Sequence, residues 1–133
     1  MTDPQSNEGL IEFREGEAWT CKTRPGEEDS LIVVGRIGDF EGEEVVHIQI
    51  HGVDVGTNAG RTLICHVPIS REALSHSVRD RTPGQGNEEV FEEGFRMWSD
   101  ARGGLFTEPV RDIVNLIQWI RTSSREPDRE ERT

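Results

Sequence analysis

Three histidines lie where a metal could be sought: His47 and His51, four apart in VVHIQIHGVDV (45–55), and His66 in RTLICHVPI (61–69). Three neutral imidazoles suit zinc at about 2.0–2.1 Å, with a fourth position open for water or substrate. The surrounding pattern is that of strands, however, and a rise near ~3.3 Å puts residues four apart about 13 Å from one another. Only one of His47 and His51 can then share an ion with His66. The plainer reading is histidines on the polar face of a sheet, with no metal and no other cofactor. The alternative is a cleft near Arg24, His47 and His66 that takes a small molecule or a metal.

A second candidate is KTRPGEEDS (22–30), which sets Arg24 beside a Pro25–Gly26 turn and the carboxylates Glu27, Glu28 and Asp29. Proline fixes φ and glycine accepts positive φ, so the chain bends here. The run is either a binding loop or the bend of a hairpin whose shape rests on Pro25 and Gly26 and whose acids are solvated. A pair between Arg24 and Glu27 or Glu28 would pin such a bend. Covalent chemistry has no comparable nominee. Ser70, Ser75 and Ser77 surround His76 within one short segment, and adjacency in sequence is not a triad. The paired acids Glu43/Glu44, Glu88/Glu89 and Glu92/Glu93 fall on turns and helix faces, without the burial that makes a general acid.

The elements that must position these residues fit one domain of 133 residues. Mean hydropathy is −0.64, and much of that polarity sits in two expected disordered tails, 1–9 and 122–133. Residues 10–121 are then the folded body. Within it, EAWTCKT (17–23), SLIVVGRI (30–37), 45–55 and 61–69 read as strands, with a short LIEF (10–13) before them. In 45–55, Val46, Ile48 and Ile50 face one way, and Val45, His47, Gln49 and His51 the other. In 61–69, Leu63, Cys65, Val67 and Ile69 form the expected core face. Cys21 and Cys65 are accordingly expected to be buried, reduced thiols. After Ser70 the period turns helical. Ser70, Asn87 and Thr107 are cap candidates, and the last helix buries Val110, Ile113, Val114, Ile117 and Ile120. The fold class expected is α+β: a four- or five-stranded antiparallel meander, curled toward a half-barrel, followed by three helices closing one side.

Charge narrows the function classes. The formal net charge is −11. Through Gly60 there are 13 acids against 4 bases, and afterwards 13 against 11. A nucleic-acid binder needs a basic footprint, which is missing here. An anionic membrane surface is disfavoured for the same reason, and no apolar run approaches the ~20 residues of a membrane span. A cytoplasmic setting is the expectation, since the start of the chain shows no secretory pattern.

Taken together, WTCKTRPGEEDS (19–30), HVPISREALSHSV (66–78), FEEGFRMW (91–98) and GGLFT (103–107) resemble segments of a group of small bacterial proteins with no established activity. The resemblance spans most of residues 16–120. It implies bacterial origin and a shared fold, and it gives weight to Arg24–Glu28 and His66–Ser70 without supplying a mechanism. The leading expectation is a non-catalytic module that engages a basic protein partner through an acidic surface. Its candidate binding residues are Arg24, Glu27, Glu28, Asp29, Glu43, Glu44, His47 and His66.

Overall fold

A computed structural model of the chain describes residues 10–22, 24–27, 29–56 and 61–124. Of the two expected tails, 1–9 and the 125–133 part of 122–133 lie outside the described residues, as does Glu28, whereas 122–124 are helical and not tail. Five strands form one open antiparallel sheet: β1 Ala18–Cys21, β2 Leu31–Phe40, β3 Glu43–Asp54, β4 Arg61–Ser70 and β5 Val78–Thr82, in the order β4-β3-β2-β1-β5. Helices α1 Arg71–Ser75, α2 Glu88–Asp100 and α3 Val110–Ser124 complete an α+β domain. No helix among the described residues is long and apolar enough to cross a membrane.

The meander β1 to β4 follows from the alternating apolar pattern, but its neighbours differ from expectation in three respects. LIEF (10–13) is not a strand. The fifth strand is β5, inserted between two helices and paired with β1 through Ala18↔Thr82, Trp19↔Arg81 and Cys21↔Val78. The expected helix after Ser70 therefore ends at Ser75, and Val78 belongs to the sheet. Thr107 is not the cap of α3, since Asp112 N and Ile113 N donate to the Pro109 carbonyl. The caps at Ser70 and Asn87 stand as expected, accepting from Ala73 N at 3.1 Å and Val90 N at 3.3 Å.

The helices do not all close one side. Val110, Ile113 and Val114 of α3, with Ala73 and Leu74 of α1, share the main core with Ile32, Val34, Val46, Ile48, Ile50 and Ile69. Helix α2 lies on the other face, over the side of β3 that carries His47 and Gln49. Two departures from regular pairing let it settle there. Gly35 is an extra residue between the pairs Val34↔Ile48 and Arg36↔His47, a bulge of the kind that locally re-aims a strand. A Cβ on Gly35 would lie 2.4 Å from the Phe91 ring, so the bare backbone is what receives that ring. A second irregularity, between Ile48↔Val67 and Ile50↔Ile64, shifts the alternation of β4. Ile64 takes the core position, and Cys65 is exposed. Cys21 is buried as expected.

Candidate functional site

The RPGEE turn is a clamp built on a buried carboxylate. Arg24 donates from Nε to Glu27 Oε1 at 3.0 Å and from Nη2 to Glu27 Oε2 at 2.7 Å. Glu27 Oε2 also accepts from the Asp54 amide at 2.8 Å, which ties the β1–β2 loop to the end of β3. The same guanidinium donates to Asn115 Oδ1 at 3.2 Å, to Gln118 Oε1 and to the Asp54 carbonyl, so α3 is held in the same knot. Bonding to Glu27 raises the pKa of Arg24 above its ordinary value, against the opposing effect of burial. Glu27 is 6% exposed, and the expectation of a solvated carboxylate at this position is corrected accordingly. Asp29 is exposed.

On the opposite face, His47 Nδ1 and His66 Nε2 are 2.8 Å apart, with ring centroids 5.0 Å apart and planes inclined by 17°. The centroid separation exceeds the nitrogen separation by nearly two ring radii. The imidazoles therefore lie head to tail in nearly one plane, joined by an in-line hydrogen bond, and are not stacked face to face. Phe95 and Trp98 of α2 meet His47 edge-on at 4.9 and 4.6 Å, and Phe91 meets His66 at 5.6 Å. Helix α2 approaches this closely because Gly94 sits over His66, where a Cβ would come within 2.8 Å. Burial, then the neighbouring His66 and Arg36, lowers the pKa of His47 to about 4. Burial likewise lowers that of His66 to about 4. At neutral pH both rings are uncharged, one donating and the other accepting. His51 turns instead to Gln49 Oε1 at 3.2 Å, so three imidazoles do not converge.

Gln49 makes the junction between sheet and helix. It is 2% exposed, and its amide donates to the Asn87 carbonyl at 2.8 Å while accepting from the Asn87 amide at 2.9 Å. This two-way bond fixes the N-terminus of α2 on β3. Gly86 has no Cβ to obstruct it; one would lie 2.5 Å from Gln49 Oε1. Beside the junction a cleft of ≈ 630 Å³ opens between β2 and α2, where Glu15, Glu88 and Glu92 stand with Gln85 around the bare backbone of Gly35 and Gly86. Arg36 already reaches this rim and donates to both oxygens of Glu92 at 3.2 Å.

Two of the sequence-nominated residues, His47 and His66, are brought together. Arg24 joins α3 on the other face, so a cleft combining Arg24 with the two histidines does not form. Glu43 and Glu44 sit across the far end of β2 from Glu27 and Asp29, separated by a strand of ten residues, about 30 Å at the usual rise. Glu44 lies 3.7 Å from Arg71, and Glu43 is exposed. Sequence reasoning missed Gln49 and the carboxylates around the cleft. A glutamine within a run of β-branched residues was the available signal for the first. Comparison with known protein families, with curated proteins and with solved structures gives no match.

Proposed function

We propose that the protein is a non-catalytic interaction module that receives basic side chains of a protein partner on its α2 face. The observation that carries this reading is the ≈ 630 Å³ cleft rimmed by Glu15, Glu88 and Glu92. A guanidinium or ammonium group fits such a rim, since carboxylates and amide oxygens accept from its fan of donors. The chain supplies its own example in the Arg36–Glu92 pair. Around the cleft, Glu89 and Glu93 are exposed along α2, and Asp39, Glu41 and Glu43 are exposed at the β2–β3 turn, where Glu41 lies beside Trp98 near the end of the helix. On this reading the contact surface is α2 and that turn, and Glu27 is not part of it because it bonds Arg24. A cytoplasmic setting belongs to the same proposal, and an exposed free thiol at Cys65 suits a reducing compartment.

The test is a titration with a short arginine-rich peptide followed by amide chemical shifts. Shifts should concentrate at Glu15 and Gln85–Glu92, weaken as salt rises, and vanish in Glu15→Gln/Glu88→Gln/Glu92→Gln. Proteins captured from native lysate by the wild type and lost by that variant should be basic, with association slowing more than dissociation quickens. Shifts spread evenly over all exposed carboxylates, or unchanged in the triple variant, would overturn the reading.

A further inference from the structure

Helix α3 carries an apolar ridge that the fold leaves uncovered. Trp119 is 65% exposed, Ile120 49% and Leu116 42%, against the expectation that Ile120 is core, and Trp119 shares no face of the fold with Trp98 of α2. The two tryptophans belong to helices on opposite faces of the sheet. Spacings of three and four residues put Leu116, Trp119 and Ile120 on one flank of α3. Asn115 and Gln118, which bond Arg24, lie along the adjoining flank, Asn115 one turn before Trp119. The helix is therefore held beside the ridge and bare along it.

We infer that this ridge is the meeting surface of two copies of the chain, packed α3 against α3 across a two-fold axis. What could cover it is limited. The residues of this sequence outside the described ones, 1–9, 23, 28, 57–60 and 125–133, contain as a large apolar side chain only Met1, so these segments are too polar to cover it. Charge then selects among partners. With 26 acids in 133 residues, acid-free stretches are short, and the two longest are 55–71 and 113–125. The second is α3 from its second turn onward, including the whole ridge. Two copies carrying −11 each repel over most of their surface, and a helix face that is acid-free beyond Asp112, one turn before Leu116, is where they approach at least cost. A basic partner gains nothing from that face and is drawn to α2 instead. The three side chains offer roughly 300 Å² of apolar surface per copy, about 600 Å² for the pair, less than the ~1,200 Å² at which standard specific interfaces begin. The dimer is accordingly a weak, transient one, and it turns the two α2 faces outward, away from the axis.

Sedimentation equilibrium of the full chain between about 10 and 500 μM tests this. Wild type should pass from monomer to dimer across the range, with Trp119 fluorescence shifting to the blue. Leu116→Glu/Trp119→Glu should stay monomeric while keeping the wild-type unfolding midpoint, because both side chains are exposed in the monomer. Added salt should tighten the dimer, the opposite sign to binding of a basic partner, since it screens repulsion between like-charged copies. A monomer throughout the range, a dimer that survives the double substitution, or a dimer that salt weakens would each overturn the inference.

Discussion

Replacing Glu27 by glutamine removes one charge from the clamp and keeps its shape. In the wild type, Glu27 accepts two bonds from Arg24 and one from the Asp54 amide, with side-chain exposures of 17% for Arg24 and 9% for Glu27. A glutamine must turn an NH₂ toward at least one of those donors, which leaves Arg24 without its counter-charge. Breaking a buried pair from one side costs about 3–5 kcal/mol. Arg24 keeps some solvent and its bonds to Asn115, Gln118 and the Asp54 carbonyl, so the low end, about 3 kcal/mol, is expected. At this chain length that corresponds to roughly 10 °C in Tm. Pro25→Ala/Gly26→Ala acts on an exposed tip. Gly26 has φ +89° and open space around its Cα, so the cost is backbone strain of about 1–2 kcal/mol. The order reverses what the turn residues alone imply, namely that Pro25 and Gly26 set the loop's stability. Urea unfolding of both variants, read as midpoint with the slope held constant, checks the order. Glu27→Gln within about 0.5 kcal/mol of wild type, or milder than the Pro25/Gly26 variant, would refute the clamp as a stabilising element.

The histidine pair makes stability depend on pH with a definite sign. Both pKa values fall from 6.5 to about 4 on folding, so between these values the unfolded chain binds more protons. The contribution is complete above about pH 6.5 and is lost as pH falls toward about 4, by a few kcal/mol for the pair. Unfolding free energies of His47→Phe/His66→Leu should show a flatter slope over that window than wild type. Gln49→Leu strands the Asn87 amide and carbonyl and should cost about 2–3 kcal/mol, with faster hydrogen exchange confined to the first turns of α2. Gly86→Ala should reproduce part of that loss by displacing Gln49. Gly35→Ala should cost about 1–3 kcal/mol through overpacking against Phe91, and a variant that also carries Phe91→Leu should recover much of it by calorimetry.

What the sequence disclosed follows the reach of the interactions involved. The alternation in Val46, Ile48 and Ile50 is a local pattern, and it placed β3 and its inner face correctly. Ser70 and Asn87 act on amides three residues away, and both caps were legible. Strand β5 was not: VRDRT offers one apolar residue and three consecutive charges. It is a strand because β1 has an edge to fill, and that edge lies some sixty residues upstream. The burial of His47 and Gln49 was hidden for a related reason. A polar strand face reads as solvated until a helix is known to cover it. The covering depends on Gly35, Gly86 and Gly94, each of which looks in isolation like a break. Glu27 is the same case at one residue, since its burial is conferred by Asp54 and by α3.

The Arg24 knot also bears on the order in which the chain can assemble. The hairpins β2–β3 and β3–β4 close short loops and can form as soon as their residues exist. Arg24, by contrast, bonds side chains 91 and 94 positions downstream, and β1 gains its second neighbour only when β5 has been made. Contacts of such separation are slow to form because their loop-closure cost comes before their reward. A chain emerging from the ribosome therefore holds the Arg24–Glu27 loop incomplete until nearly all of α3 has been synthesised. The docking of α3 is then a late step, completed after the main folding barrier. Substitutions at Asn115 and Gln118 should hasten unfolding while leaving the refolding rate nearly unchanged, a division that stopped-flow kinetics would read directly.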